Sequence, residues 1–212
     1  MNTTPMPDAP SVRTLAPLPL HRRHATLGLL ACLALGLGAC SPEDKDAKGE
    51  SASVPLEQSY TLLAHEGRGF SVGAMMTANT VYVLFDPQCP HCGHLWQASL
   101  PLHKKVKFVW MPVAFIGAQS APQGAALLAA ENPVEAMSAH EASLLAGTGG
   151  TAASSSIPDD IAQAIKKNTA LFNRLGGESV PFVVAKNQRT GAVVNYAGAM
   201  DTAALEQFLG LQ

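Results

Sequence analysis

The sequence predicts an α/β domain, and three observations predict it. An unbroken apolar run, Val81 to Phe85, passes through the turn Asp86-Pro87-Gln88 into Cys89-Pro90-His91-Cys92, a strand feeding the start of a helix. Further along, Ile161, Ile165, Asn168, Phe172 and Leu175 recur at intervals of four and three, the spacing of one helix face with Asn168 as its polar exception. Two strand-like runs, 182–185 and 192–197, are then joined by a turn ending at Gly191, the pattern of a β-hairpin.

Taken in order, the chain divides into three parts. His21, Arg22, Arg23 and His24 precede the apolar stretch Ala25 to Ala39, which is short for a membrane span and reads with its basic flank as a signal peptide over 1–39. The stretch ends in Leu37-Gly38-Ala39-Cys40, which resembles the lipobox of bacterial lipoproteins and makes Cys40 the expected lipidation site. Residues 40–55, with a mixed-charge run from Glu43 to Glu50, have little to bury and read as a polar tether. Residues 56–212 form the folded domain. A net charge of -2 recommends no nucleic-acid partner.

Within the domain, 56–64 suggests a short helix, 69–72 a short strand and 81–85 a strand buried on both faces. A helix from Pro90 is expected to stop at Pro101, and 106–113 is the next strand, with Pro112 at its end. Ser120-x-x-Gln123 has the form of a capping box opening a helix, and Asn132-Pro133-Val134-Glu135 opens another that Gly147 closes. Thr148 to Ser156 is a Gly/Ser/Thr loop expected to be mobile. After the amphipathic helix, Gly176-Gly177 supplies a C-cap, and beyond the hairpin Asp201 caps a last helix with Leu205, Phe208 and Leu209 inward. The order β, α, β, helices, β, β, α is that of the thioredoxin fold with a helical insertion.

Four cysteines are present. If Cys32 leaves with the signal and Cys40 carries lipid, only Cys89 and Cys92 remain, so the domain has no structural disulfide framework. A cysteine at a helix start meets unpaired backbone N–H groups and the positive end of the helix dipole, which favour a thiolate. Pro90 fits the first helical turn, where its missing N–H costs nothing. Cys92 lies one turn on, so the two sulfurs can close a small ring, and His91 between them can tune the thiolate. Residues 89–92 therefore read as a redox-active dithiol/disulfide that needs no other cofactor. Cys89, His91, Cys92 and His94 also offer metal-ligand chemistry, but a closed zinc site requires four converging ligands and no second CxxC exists, so no metal site is assigned. Asp86 reads as a solvent-open turn residue whose charge is screened from Cys89.

The stretch FDPQCPHC with Leu95-Trp96 after it, the insertion from Ser120, and Ser179-Val180-Pro181-Phe182 before the hairpin together resemble the catalytic domain of periplasmic thiol-disulfide interchange proteins of the DsbC/DsbG type, the DsbG branch most of all. The resemblance implies that Cys89 is the attacking thiol and Cys92 the resolving one. It also implies that Val180 and Pro181 form a cis-proline loop that faces the redox pair and binds substrate. An X-Pro bond is the one place where cis is cheap. The sequence departs from that family in two ways. Only about 40 residues separate Cys40 from Val81, which leaves the N-terminal dimerisation domain out and makes a monomer the expectation. CPHC with Val before the proline resembles DsbA-type oxidases, which favours oxidation over isomerisation.

The expected function is a lipid-tethered oxidoreductase of the periplasm, at the outer membrane by the Ser that follows Cys40, exchanging its disulfide with cysteine-containing exported proteins and with a second redox partner. The alternatives are a reductase of sulfenylated or mis-oxidised cysteines and a non-enzymatic chaperone or metal-handling module on the same fold. The anchor is directly testable. Cys40→Ser is expected to abolish metabolic acyl labelling and to release the protein from the membrane fraction; unlabelled wild type, with membrane association untouched by the substitution, would count against it.

Overall fold

A computed structural model describes residues 53–151 and 153–212; the signal segment, Cys40 and the tether as far as residue 52 lie outside the described residues. The elements run α1 (Leu56–Glu66), β1 (Phe70–Gly73), β2 (Thr80–Phe85), α2 (Pro90–Ser99), a 3₁₀ turn (Leu100–Lys104), β3 (Lys107–Pro112), α3 (Ser120–Leu128), α4 (Pro133–Leu145), α5 (Asp159–Arg174), β4 (Phe182–Lys186), β5 (Val193–Ala197) and α6 (Thr202–Leu209). The strands form one sheet in the order β1-β3-β2-β4-β5, with β2 and β3 parallel and every other pair antiparallel. This is the thioredoxin fold, with α3 and α4 inserted ahead of α5.

The central strand β2 owes its place to its sequence. A strand apolar on both faces must be covered twice, and β2 is buried from Val81 to Phe85. Tyr82 turns towards α1, where its ring meets Tyr60 edge-on at 5.0 Å. Phe85 lies on the opposite face and packs on Trp110 of β3, which packs in turn on Trp96 of α2, at 5.5 and 5.2 Å between centroids. His103 of the 3₁₀ turn continues the chain of rings between Trp96 and Phe108. Each edge-to-face pair contributes about 0.5–1.5 kcal/mol beyond its buried area. Their joint effect is to bolt α2, the helix that starts at the cysteines, onto the sheet.

Of the local expectations, the end of α2 holds and the capping box does not. The α-helix stops at Ser99, as expected, just ahead of Pro101. Pro101 sits in the first positions of the 3₁₀ turn, where a missing N–H is tolerated, and Lys105 N–H closes the turn on the Leu102 carbonyl at 2.8 Å. Ser120 and Gln123 do not form a capping box. The Ser120 hydroxyl accepts from Gly117 N–H, and Gln123 Nε2 donates to the Gly149 and Thr151 carbonyls at 2.8 and 3.1 Å. The same loop meets α4 as well, where Ser143 Oγ donates to the Gly150 carbonyl. Other caps form as read: Asn132 Oδ1 accepts from Glu135 N–H, Asp201 Oδ1 from Ala204 N–H, and Gly176 takes a left-handed φ of 72° after α5.

Asn168, the exception on the apolar face of α5, is fully buried and fully used. Its Oδ1 accepts from Arg68 N–H at 3.0 Å, and its Nδ2 donates to the Arg68 and Pro112 carbonyls at 2.8 and 3.0 Å. One amide thus joins α5 to the entry of β1 and the exit of β3. Asn168→Ala orphans one N–H and two carbonyls in the interior and is expected to cost about 3 kcal/mol. Urea denaturation should show a lower midpoint with an unchanged m-value.

Candidate active site

The sheet register places the site. Leu84 pairs with Phe182 across β2 and β4, so the segment before Phe182 runs alongside the segment that follows Phe85. The Val180-Pro181 bond is cis, as the resemblance implied, and Cys89 Sγ lies 3.4 Å from the Val180 carbonyl oxygen. Cys89 is the N-cap of α2 with extended backbone (φ -98°, ψ 110°), and Pro90 opens the helix. The two cysteines are free thiols, Cys89 with 4% of its surface exposed and Cys92 with none.

Their environments set the two sulfurs apart. The Cys89 thiol is lowered from 9.0 to about 6, first by a hydrogen bond from the Cys92 side chain and then, against the opposing effect of burial, by the backbone N–H groups of Cys92 and His91 and the charge of His91. The Cys92 thiol is raised well above its ordinary value, chiefly by burial and further by its place beside the Cys89 sulfur. At neutral pH Cys89 is therefore the more readily ionised sulfur, and Cys92 keeps its proton. His91 and His94 both stand exposed on α2 with ring centroids 6.3 Å apart. Among the described residues, no group of three or more His, Cys, Asp or Glu could hold a metal ion.

Asp86 departs from its reading as an open turn residue. It has no exposed surface; Gln88 N–H donates to its Oδ1 at 2.8 Å, and Phe115 and Ile116 N–H donate to its Oδ2 at 2.7 and 2.8 Å. The carboxylate belongs inside because three backbone donors need an acceptor there, and it ties the turn before Cys89 to the loop after β3.

Two residues of the insertion escaped the sequence reading. His140 is buried; its Nε2 donates to the Pro87 carbonyl at 2.7 Å, and its Nδ1 accepts from Thr151 N–H at 3.1 Å. Burial lowers its pKa, so the ring is a neutral clamp on the turn before Cys89. Glu141 is 1% exposed, and neither carboxyl oxygen has a hydrogen-bond partner. Burial, with the Cys89 sulfur adding to it, raises its pKa to about 8. A group held protonated in this way contributes stability that is full below the ordinary carboxylate range and lost as pH rises to about 8. The available signal was periodicity: Met137, His140, Glu141 and Leu144 stand at i, i+3, i+4 and i+7, so the polar pair shares the inward face with Met137.

The arrangement suits thiol–disulfide exchange: an ionised attacking sulfur, a resolving thiol one turn behind it, and an extended segment beside the first. No protein-family model matches the chain. The chain is similar to the thiol:disulfide interchange protein DsbG of Pseudomonas aeruginosa, at 29% identity over 176 residues, covering 78% of this chain and 68% of that one. Among solved structures, the catalytic domain of Proteus mirabilis ScsC aligns with TM-score 0.57 at 21% identity over 73% of this chain and 94% of its own. The thiol-disulfide exchange protein α-DsbA2 of Wolbachia pipientis aligns with TM-score 0.56 at 16% identity over 73% and 94%. These two share the fold.

The donor set of Cys89 makes a graded prediction. Thiolate absorbance of the reduced protein should titrate with a midpoint near 6. Cys92→Ala, which removes the largest contribution, should raise that midpoint more than Cys92→Ser, whose hydroxyl still donates, and more than His91→Ala. A larger shift from His91→Ala would show that the imidazole, not the second thiol, governs the site.

Proposed function

We propose that this thiol–disulfide oxidoreductase acts chiefly as an oxidant of exported protein cysteines, held at a bacterial membrane by lipid on Cys40. One observation supports the direction: the Cys89 thiol is lowered to about 6, first by a hydrogen bond from the Cys92 side chain, so the reduced pair is stabilised in its ionised form. A substrate thiolate attacks the Cys89–Cys92 disulfide at Cys89, and Cys92 leaves. A second substrate thiolate then attacks the first substrate's sulfur, and Cys89 departs as a stabilised thiolate. A second, membrane or periplasmic, redox partner must take the two electrons before another turn, and no cofactor beyond the disulfide enters.

The magnitude is modest and has a definite sign. With a pKa of about 6, Cys89 is about nine-tenths ionised at pH 7, which stabilises the dithiol by about 1.4 kcal/mol, or about 30 mV for a two-electron couple. The disulfide is correspondingly more oxidising than one closed by an ordinary thiol. Val180 before Pro181 and the departures noted in the sequence support oxidation over isomerisation and a monomer. The basic flank, the apolar stretch 25–39 and the lipobox-like end at Cys40 support export to the periplasm and an outer-membrane tether.

The decisive experiment is a redox equilibrium with glutathione, paired with capture of mixed disulfides by Cys92→Ser in cells. The expected results are a potential above thioredoxin's value of about -270 mV and captured partners that are exported proteins rich in cysteine pairs. A potential at or below that value, with captured partners carrying single cysteines, would overturn the oxidant reading and leave the reductase of sulfenylated cysteines.

A further inference from the structure

Glu141 is a carboxyl group with no structural employment. Both oxygens are buried without a hydrogen-bond partner, although an unpaired polar group inside a protein is costly and selection of Ala or Leu at that point of α4 would remove the cost. Its position is specific. Oε2 lies where a side chain on Gly93 would be: a Cβ built there comes 2.7 Å from Oε2 and 3.1 Å from Leu145 Cγ. Gly93 directly follows Cys92 on α2, and the absence of a side chain there is what admits the carboxyl of α4 to the backbone beside the resolving cysteine.

The surroundings hold no other partner for it. From α2 come Cys92, buried, and His91 and His94, both exposed. From the turn before Cys89 comes Asp86, already bonded to three N–H groups. On α4 itself, His140 is engaged at both ring nitrogens and Glu135 lies at the helix start with Asn132. From α3 comes Gln123, whose Nε2 serves the 149–151 carbonyls, and β1 brings no titratable group. The charge that acts on Glu141 is that of the Cys89 sulfur.

Cys92 has a problem that this carboxyl answers. To resolve a mixed disulfide on Cys89, Cys92 must attack as a thiolate, yet it is fully buried and its thiol holds the proton tightly. We propose that Glu141 takes the proton from Cys92 when Cys92 resolves a mixed disulfide, and returns it when the Cys89–Cys92 disulfide is opened. The inference rests on the thiol–disulfide reading of the site.

The step balances. Cys92–SH gives its proton to the Glu141 carboxylate, and the Cys92 sulfur attacks the Cys89 sulfur of Cys89–S–S–R. The Cys89–Cys92 bond forms, the Cys89–SR bond breaks, and its electron pair leaves on RS⁻. The cysteine pair is oxidised, and the partner disulfide from which RS⁻ came is reduced. In the reverse direction Cys92 leaves as a thiolate and takes the proton from protonated Glu141. The timing is favourable, because the Cys89 sulfur is one of the two causes that keep Glu141 protonated. In the mixed disulfide that sulfur is neutral, so the carboxyl ionises more readily at the stage when a base is needed.

The test reacts the reduced protein with oxidised glutathione and follows the glutathionylated intermediate by acid quench and mass spectrometry. In Glu141→Gln, formation of the intermediate at Cys89 should stay within about threefold of wild type. Its resolution should slow by at least about tenfold at pH 7 and should keep rising with pH beyond 8, where the wild type levels off. Carboxyl infrared difference spectra of wild type should show a group titrating near 8 that the variant lacks. Gly93→Ala, which displaces the carboxyl without changing any titratable group, should slow the same step and serves if Glu141→Gln folds poorly. Resolution within twofold of wild type in these variants, with an unchanged pH profile, would overturn the proposal. Wild type that forms no glutathione adduct at all would instead overturn the thiol–disulfide reading beneath it.

Discussion

The structure depends on making a sulfur anion acceptable where water scarcely reaches. Cys89 has 4% of its surface exposed, and burial alone would push its thiol up. What reverses the sign is a set of donors that burial itself assembles: the thiol of Cys92 and two N–H groups of the helix turn. Those donors lie within four residues of one another, so their geometry is that of the first turn of α2. Anything that loosens the turn, its attachment to β2 or its seat on the sheet weakens the donor set before it touches the sulfur.

Much of the remaining architecture holds that turn still. The ring chain Phe85–Trp110–Trp96–His103–Phe108 seats α2 on one face of the sheet. Asp86 secures the turn before Cys89 to the loop after β3, and His140 secures the same turn to the insertion. Trp96 Nε1 donates to Ser138 Oγ, a second tie between α2 and α4. The insertion is therefore part of the redox centre. It clamps the approach to one cysteine through His140 and sets an unpaired carboxyl beside the other through Glu141.

Elements with a strong local signal were legible in the chain. The strand 80–85 and the amphipathic helix 159–174 announce themselves by composition or period, and the caps at Asn132, Asp201 and Gly176 rest on partners within a few residues. The readings that changed all involve competition from afar. Ser120 and Gln123 have the spacing of a capping box, but carbonyls 26 and 28 residues away take the Gln123 amide. Asp86 looks like a turn carboxylate facing water until the N–H groups of Phe115 and Ile116, 29 and 30 residues on, close over it.

By itself the sequence determined the order of elements, the strand that carries the cysteines to a helix start, and the place of Cys89 at that start with Cys92 one turn on, because each follows from neighbours along the chain. Only the tertiary structure decided how far the two sulfurs differ, that Asp86 is interior, and that from a helix some 50 residues downstream His140 reaches the turn before Cys89 and Glu141 reaches Gly93. Burial and through-space charge govern these properties, and both depend on which distant segments exclude water from the site; local spacing carries no record of that.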